Sequence, residues 1–179
     1  VTDGGVIENL TLTGTEEVVV ENIGVGGPAG ALIITTDQAG LGGNIEAASV
    51  DTRNAGMTTL HASVDIKVTG AINLGHIDGA ESLTLASTAG GDVTLRNMDI
   101  ASLAVSNADA VNVLGQLVAS GDVTIAGATA GVITVDGSIN AGGNVDLDTA
   151  ALIAVNGTVT AVEALTVSTT ANVDIDDNL

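Results

Sequence analysis

Residues 114–175 repeat their own pattern, and that repeat constrains the fold more than any other feature of the chain. Three segments align by eye: LGQLVASGDVTIAGATAGVITV (114–135), DGSINAGGNVDLDTAALIAV (136–155) and NGTVTAVEALTVSTTANVDI (156–175). Each opens with a short apolar touch at Leu117, Ile139 or Val159. A triplet of apolar, middle and apolar residues follows: Val123-Thr124-Ile125, Val145-Asp146-Leu147 and Leu165-Thr166-Val167. A second triplet closes the unit: Ile133-Thr134-Val135, Ile153-Ala154-Val155 and Val173-Asp174-Ile175. Alternation at a period of two sends the outer residues of each triplet to one face and the middle residue to the other. Three such strands every 20 or so residues, separated by small and turn residues, describe one rung of a parallel β-solenoid (a β-helix). The expected fold class is therefore all-β.

The composition fits a thin, layered core. The 179 residues include no aromatic side chain, no cysteine, one proline (Pro28) and 24 glycines. Globular cores draw much of their buried area from aromatic rings. A core without them is filled by Val, Ile, Leu and Ala, each coil burying its side chains against the coils above and below. The charge is one-sided, with 22 Asp and Glu against Arg53, Lys67 and Arg96, a net of −19. No basic footprint for nucleic acid exists, and an anionic membrane surface would repel the chain. No apolar run approaches the roughly 18 residues of a membrane-spanning helix. The opening VTDGGVIENL has no Met, basic segment or apolar stretch of a signal peptide, so an export signal is expected to be removed or upstream.

Read in order, the chain predicts a single solenoid domain over 1–179, with irregular coils in 1–74 and regular ones in 75–179. Residues 1–20 read as one coil, through Val6-Ile7, Leu10-Thr11-Leu12 and Val18-Val19-Val20. Residues 21–74 suit about three coils without assignable boundaries. GVGGPAG (24–30) and QAGLGG (38–43) read as loops, and 24–43 is the one candidate for an irregular ligand-binding coil. Residues 75–95 restore the pattern with Ile77, Leu83-Thr84-Leu85 and Val93-Thr94-Leu95, and 96–113 give a shorter coil. The total is about nine coils of roughly 20 residues with three short strands each, a rod roughly 40 Å long at a rung spacing of about 4.8 Å.

Two corners recur in register: Asp136-Gly137 and Asn156-Gly157 both follow a closing triplet. Glycine supplies positive φ without a Cβ clash, and Asn or Asp tolerates the left-handed region, so these are expected to be structural corners rather than the hairpins that D-G and N-G often mark. Asp3-Gly4-Gly5-Val6 matches the opening of a coil, and Asp176 to Leu179 matches the opening of another. Asp3, Val6, Asp176 and Leu179 are therefore the expected end-to-end contact residues, meeting either a continuation of the polypeptide or a neighbouring copy.

Chemistry is sparse. His61 and His76 have neither cysteine nor spaced histidine partners, which speaks against zinc. Ser82 and Ser138 lack a nucleophile setting such as GxSxG. A sugar hydrolase needs two positioned carboxylates, and sugar-active β-helices usually add aromatic platforms, which are absent here. No catalytic residue and no required cofactor are expected. Calcium is the one cofactor the composition allows, with oxygens from Glu16, Glu17, Glu21, Asp136, Asp146, Asp148 and Asp174 to Asp177. The calcium nonapeptide GGxGxDxUx and the EF-hand loop are both missing. Thr11-Leu12-Thr13 has an ice-binding spacing, but it does not recur in register.

The strings GGNVDLDTAALIAVNGTVTA and SGDVTIAGATAGVITVDGSINAGG resemble the repeat tracts of filamentous-haemagglutinin-like exoproteins and other giant bacterial β-strand-repeat adhesins. The resemblance covers 75–175 closely and 1–74 loosely, and the family's secretion domain with its NPNG motif is not in this sequence. It implies a right-handed parallel β-helix, export to the bacterial surface, and a scaffold or adhesive role. The expected function is an extracellular structural solenoid: an adhesin stalk, or a building block of a fibre or surface layer. Its expected partners are further solenoid at its ends and a cell-surface glycan or protein receptor. The alternative is a calcium- or glycan-binding module using one face of the solenoid.

Overall fold

The computed structural model is all-β, with 22 strands and no helix among the described residues. It describes strand backbone at intervals between residues 9 and 60, then residues 64–79 and 81–176; side chains are described in these last two ranges, except at 128–130. Strands follow one another in triples. The first rung holds β1 (Asn9–Gly14), β2 (Glu17–Val19) and β3 (Asn22–Gly24); the second β4 (Ala31–Thr36), β5 (Gly43–Ala47) and β6 (Ser49–Asp51). The third holds β7 (Met57–Leu60), β8 (Val64–Val68) and β9 (Ile72–Leu74); the fourth β10 (Ile77–Asp78), β11 (Ser82–Ser87) and β12 (Val93–Leu95). In the fifth, β13 (Met98–Ile100) precedes the long strand β14 (Ser102–Val113); in the sixth, β15 (Gln116–Ala119) precedes β16 (Val123–Val135). The seventh holds β17 (Ser138–Ala141), β18 (Val145–Thr149) and β19 (Ile153–Val155); the eighth β20 (Thr158–Ala161), β21 (Leu165–Thr169) and β22 (Val173–Ile175).

Equivalent strands of successive rungs pair in parallel and build three columns. The first is an eight-stranded sheet, β1-β4-β7-β10-β13-β15-β17-β20. The second and third columns merge into one 14-stranded sheet because β14 and β16 run through the corner between them. Register shifts between Val105 and Ala108 and between Ala108 and Ala110 mark that corner. Asn107 turns it with φ of 59°, a conformation Asn adopts more readily than most residues.

The two-residue period works as expected. Val123, Ile125, Ile133 and Val135 are all 0% exposed. Each inward position continues along the axis as an aliphatic ladder. Leu83 stacks on Val64, Leu103 on Leu83, Val123 on Leu103 and Val145 on Val123. In the third column Val93 stacks on Ile72, Val111 on Val93, Ile133 on Val111 and Ile153 on Ile133. In the first column Leu117 stacks on Met98, Ile139 on Leu117 and Val159 on Ile139. Burial of these side chains, worth about 25 cal/mol per Å² of apolar surface, holds the rungs together.

Two expectations are corrected. The described residues form eight rungs rather than nine, because 21–74 supply two complete rungs (the second and third) and the end of the first. Leu10 and Leu12 also belong to a different column from the one expected. They pair with Leu32 and Ile34 in the first column, so β1 is the opening strand of its rung, not a middle one. An isolated apolar triplet has the same two-residue signature in any column, so only its partner identifies it. Between the stretches read as loops, 24–30 and 38–43, β4 is an ordinary first-column strand.

Candidate functional site

The corners joining the third column to the first are built alike. Asn156 N–H and Gly157 N–H both donate to the Val135 carbonyl, at 2.9 and 3.0 Å. One rung earlier, Asp136 N–H and Gly137 N–H both donate to the Val113 carbonyl, each at 2.9 Å. Asp176 N–H repeats the contact one rung later with the Val155 carbonyl at 3.0 Å. Neighbouring strands are parallel throughout, so Asp136-Gly137 and Asn156-Gly157 are solenoid corners and not hairpins. The reason for glycine differs from the one expected. Neither Gly137 nor Gly157 lies in the left-handed region. A Cβ on Gly157 would instead sit 1.8 Å from the Gly137 carbonyl oxygen, and one on Gly137 would sit 2.0 Å from that of Gly115. These glycines permit close approach of stacked backbones.

A second set of corner groups is spread over the Ser and Thr side chains. Ser87 is fully buried; its hydroxyl donates to the Gly70 carbonyl at 2.9 Å and accepts from Gly91 N–H at 2.6 Å. Thr149 Oγ1 donates to the Gly131 carbonyl and accepts from Ala151 N–H at 3.3 Å. Thr169 Oγ1 donates to the Ala151 carbonyl and accepts from Ala171 N–H at 3.1 Å. A hydroxyl can do both at once, which suits a corner with one carbonyl below and one amide ahead. The sequence signal is a Ser or Thr two residues after a middle-column triplet.

The acidic side chains are spaced rather than piled. Asp146 is flanked along the axis by Thr124 and Thr166, and Asp148 by Ala126 and Ser168. Asp174 stacks on Ala154. Where acids do approach, an amide is interposed. Asn144 N–H donates to Asp122 Oδ1 at 2.7 Å, while Asn144 Nδ2 donates to Asp122 Oδ1 at 3.2 Å and to Glu163 Oε2 at 3.1 Å. At the other corner Asn156 Nδ2 donates to Asp136 Oδ1 at 2.7 Å. Among the described residues, one pair of carboxylates shares an outward position on adjacent rungs: Asp78 and Asp99. No group of three or more His, Cys, Asp or Glu among the described residues is placed to hold a metal ion. Of the proposed calcium donors, Glu16, Glu21 and Asp177 lie outside the described residues, as do His61 and the end-contact residues Asp3, Val6 and Leu179.

Two surface features remain. A shallow open cavity of about 350 Å³ lies over the first column, lined by His76, Asn97, Met98, Asp99, Gln116 and Val118. Asn97 Oδ1 accepts from Gln116 N–H at 3.2 Å, which ties two of its rungs together. The other feature is the open face of the eighth rung, where Val173 and Ile175 are exposed and Leu165 and Val167 are only partly covered. No protein family, curated protein or solved structure matches the chain. The sequence reading missed Asp122, Asn144 and Glu163, since they share no motif and meet only when the coils are stacked.

Proposed function

We propose that the chain is a structural segment of an extracellular β-solenoid, either a stalk of a bacterial surface adhesin or a building block of an extracellular fibre or surface layer. The observation that carries this reading is the stack of eight rungs in parallel register, with an aliphatic interior and small polar and acidic groups outside wherever side chains are described, from residue 64 onward. Such a body is stiff along its axis and spans distance economically, because each added coil extends it by about 4.8 Å. Placement outside the cell comes from the resemblance of its repeats to exported adhesins. No catalysis is assigned to it. Immunolabelling of intact and permeabilised native cells tests the proposal. Label on intact cells is expected, and label seen only after permeabilisation overturns it.

A second reading, a glycan-binding face, is favoured by the cavity over the first column. Imidazole, amide and carboxylate groups from three rungs converge there, and such groups bind sugar hydroxyls. A glycan array checks it: binding that is lost in His76→Ala and Gln116→Ala supports this reading, and an empty array removes it.

A further inference from the structure

We propose that the outward face of the third column, across rungs three to six, binds the same face of a second copy, the two copies running in opposite directions along their axes. The proposal does not depend on where the protein resides. Charge is the first ground. The chain carries a net −19, and carboxylates mark the outward rows of the other two columns: Asp78 and Asp99 in the first, Asp65 and Asp146 in the second. The central outward row of the third column has none over five rungs. Asn73, Thr94, Asn112 and Thr134 stack there in register, followed by Ala154. The four polar side chains are half-buried, and none has a hydrogen-bond partner among the described residues. A second copy of so acidic a chain approaches at lowest cost where neither surface is charged.

Order along the axis selects the antiparallel arrangement. The row reads Asn, Thr, Asn, Thr. A two-fold axis along the strands, midway between Thr94 and Asn112, reverses the rungs and keeps the strand direction. Thr94 then faces the partner's Asn112, and Asn73 faces the partner's Thr134. Each longer amide meets a shorter hydroxyl, so the faces keep an even separation and each pair can exchange a hydrogen bond. The flanking rows agree. On one side run Asp92, Ala110 and Val132, each just before a triplet. On the other run Arg96, Leu114 and Asp136: Leu114 N–H donates to the Leu95 carbonyl and Asp136 N–H to the Val113 carbonyl, both at 2.9 Å. Under the same axis Asp92 faces the partner's Ala110. Arg96 covers the partner's Leu114, a side chain 40% exposed in the single chain, with the partner's Asp136 one rung away. No acid opposes an acid. Parallel copies would pair Asp92 with the partner's Arg96, yet set Asn on Asn, Thr on Thr and Val132 against the partner's Asp136.

Four rungs make a face smaller than the roughly 800 Å² per partner of a stable complex, so the pairing is weak and is read at high concentration. Sedimentation equilibrium of the full chain, up to millimolar and in salt that screens the net charge, is expected to show a dimer that grows no further. Thr94→Asp should weaken it by about tenfold or more, since it sets a charge into each neutral face. Asn112→Thr with Thr134→Asn should weaken it too, because it keeps the composition but opposes Asn to Asn. Both variants should melt close to the native chain. The chain has no cysteine, so crosslinking reads the orientation. Facing sheets lie about 10 Å apart. A short bismaleimide should therefore join an Asn73→Cys chain to a Thr134→Cys chain, and not two Asn73→Cys chains, which the antiparallel order holds three rungs apart. Preferential crosslinking of Asn73→Cys to itself overturns the orientation. A monomer at every concentration and salt overturns the interface. So does association that Thr94→Asp leaves intact and that grows beyond the dimer, which is stacking through the chain ends.

Discussion

Gly157 and Val135 illustrate two different demands on a single residue. Gly157 is required by space between backbones: a methyl group there meets a carbonyl, which cannot rotate away as a flexible side chain does. Gly157→Ala is expected to destabilise the fold by about 1–3 kcal/mol, the usual cost of overpacking, measured by urea denaturation. Gly121→Ala is the internal control. Its Cβ would lie 3.1 Å from the Ala101 oxygen, a contact that small shifts relieve, so its effect should be clearly smaller. Val135 is required by the core. It is 0% exposed between Val113 and Val155, and Val135→Asp would bury an unpaired charge at a cost of several kcal/mol. Loss of the cooperative melt at room temperature is the expected outcome, and a stable, soluble variant would contradict the inward assignment.

At the scale of the strand, the two-residue period was legible wherever three triplets recurred in order, as they do from Ile77 to Ile175. It failed for Leu10-Thr11-Leu12 because alternation reports which side chains point inward and not which column a strand joins. Axial neighbours were equally hidden. The registers place Thr, Ala, Ser or Asn beside most of the described carboxylates, which the count of acids does not reveal. Asp78 and Asp99 are the exception, two like charges paired across adjacent strands. Such pairs destabilise by roughly 0.2–1 kcal/mol, less as salt screens them. Asp99→Asn should therefore raise the melting temperature in low salt, with the gain fading as salt is added. Calcium should stabilise the native chain more than Asp99→Asn at equal ionic strength. A calcium response identical in both would place the effect elsewhere on the acidic surface.

For the whole molecule, each rung touches only the rung before and the rung after it, which makes the solenoid nearly one-dimensional. Stability should then be a sum of rung and interface contributions, unlike a globular domain in which removing one element opens a shared centre. Ending the chain after Asn156 tests this directly. The cut removes β20, β21 and β22 and exposes Val145, Leu147, Ile153 and Val155, which now lie buried beneath them. The new end has the same kind of face as the old one, one rung lower, so the net loss is a single rung with a single interface. The shortened chain is expected to keep its β-sheet circular dichroism and a cooperative melt at a modestly lower temperature. Its fastest-exchanging core amides should move from the eighth rung to β17, β18 and β19, while β11, β14 and β12 keep their protection. Wholesale unfolding after removal of one rung would mean that the eighth rung acts as a cap. Its corner and ladder contacts give it no such role: it repeats the geometry of the seventh and leaves its apolar side open.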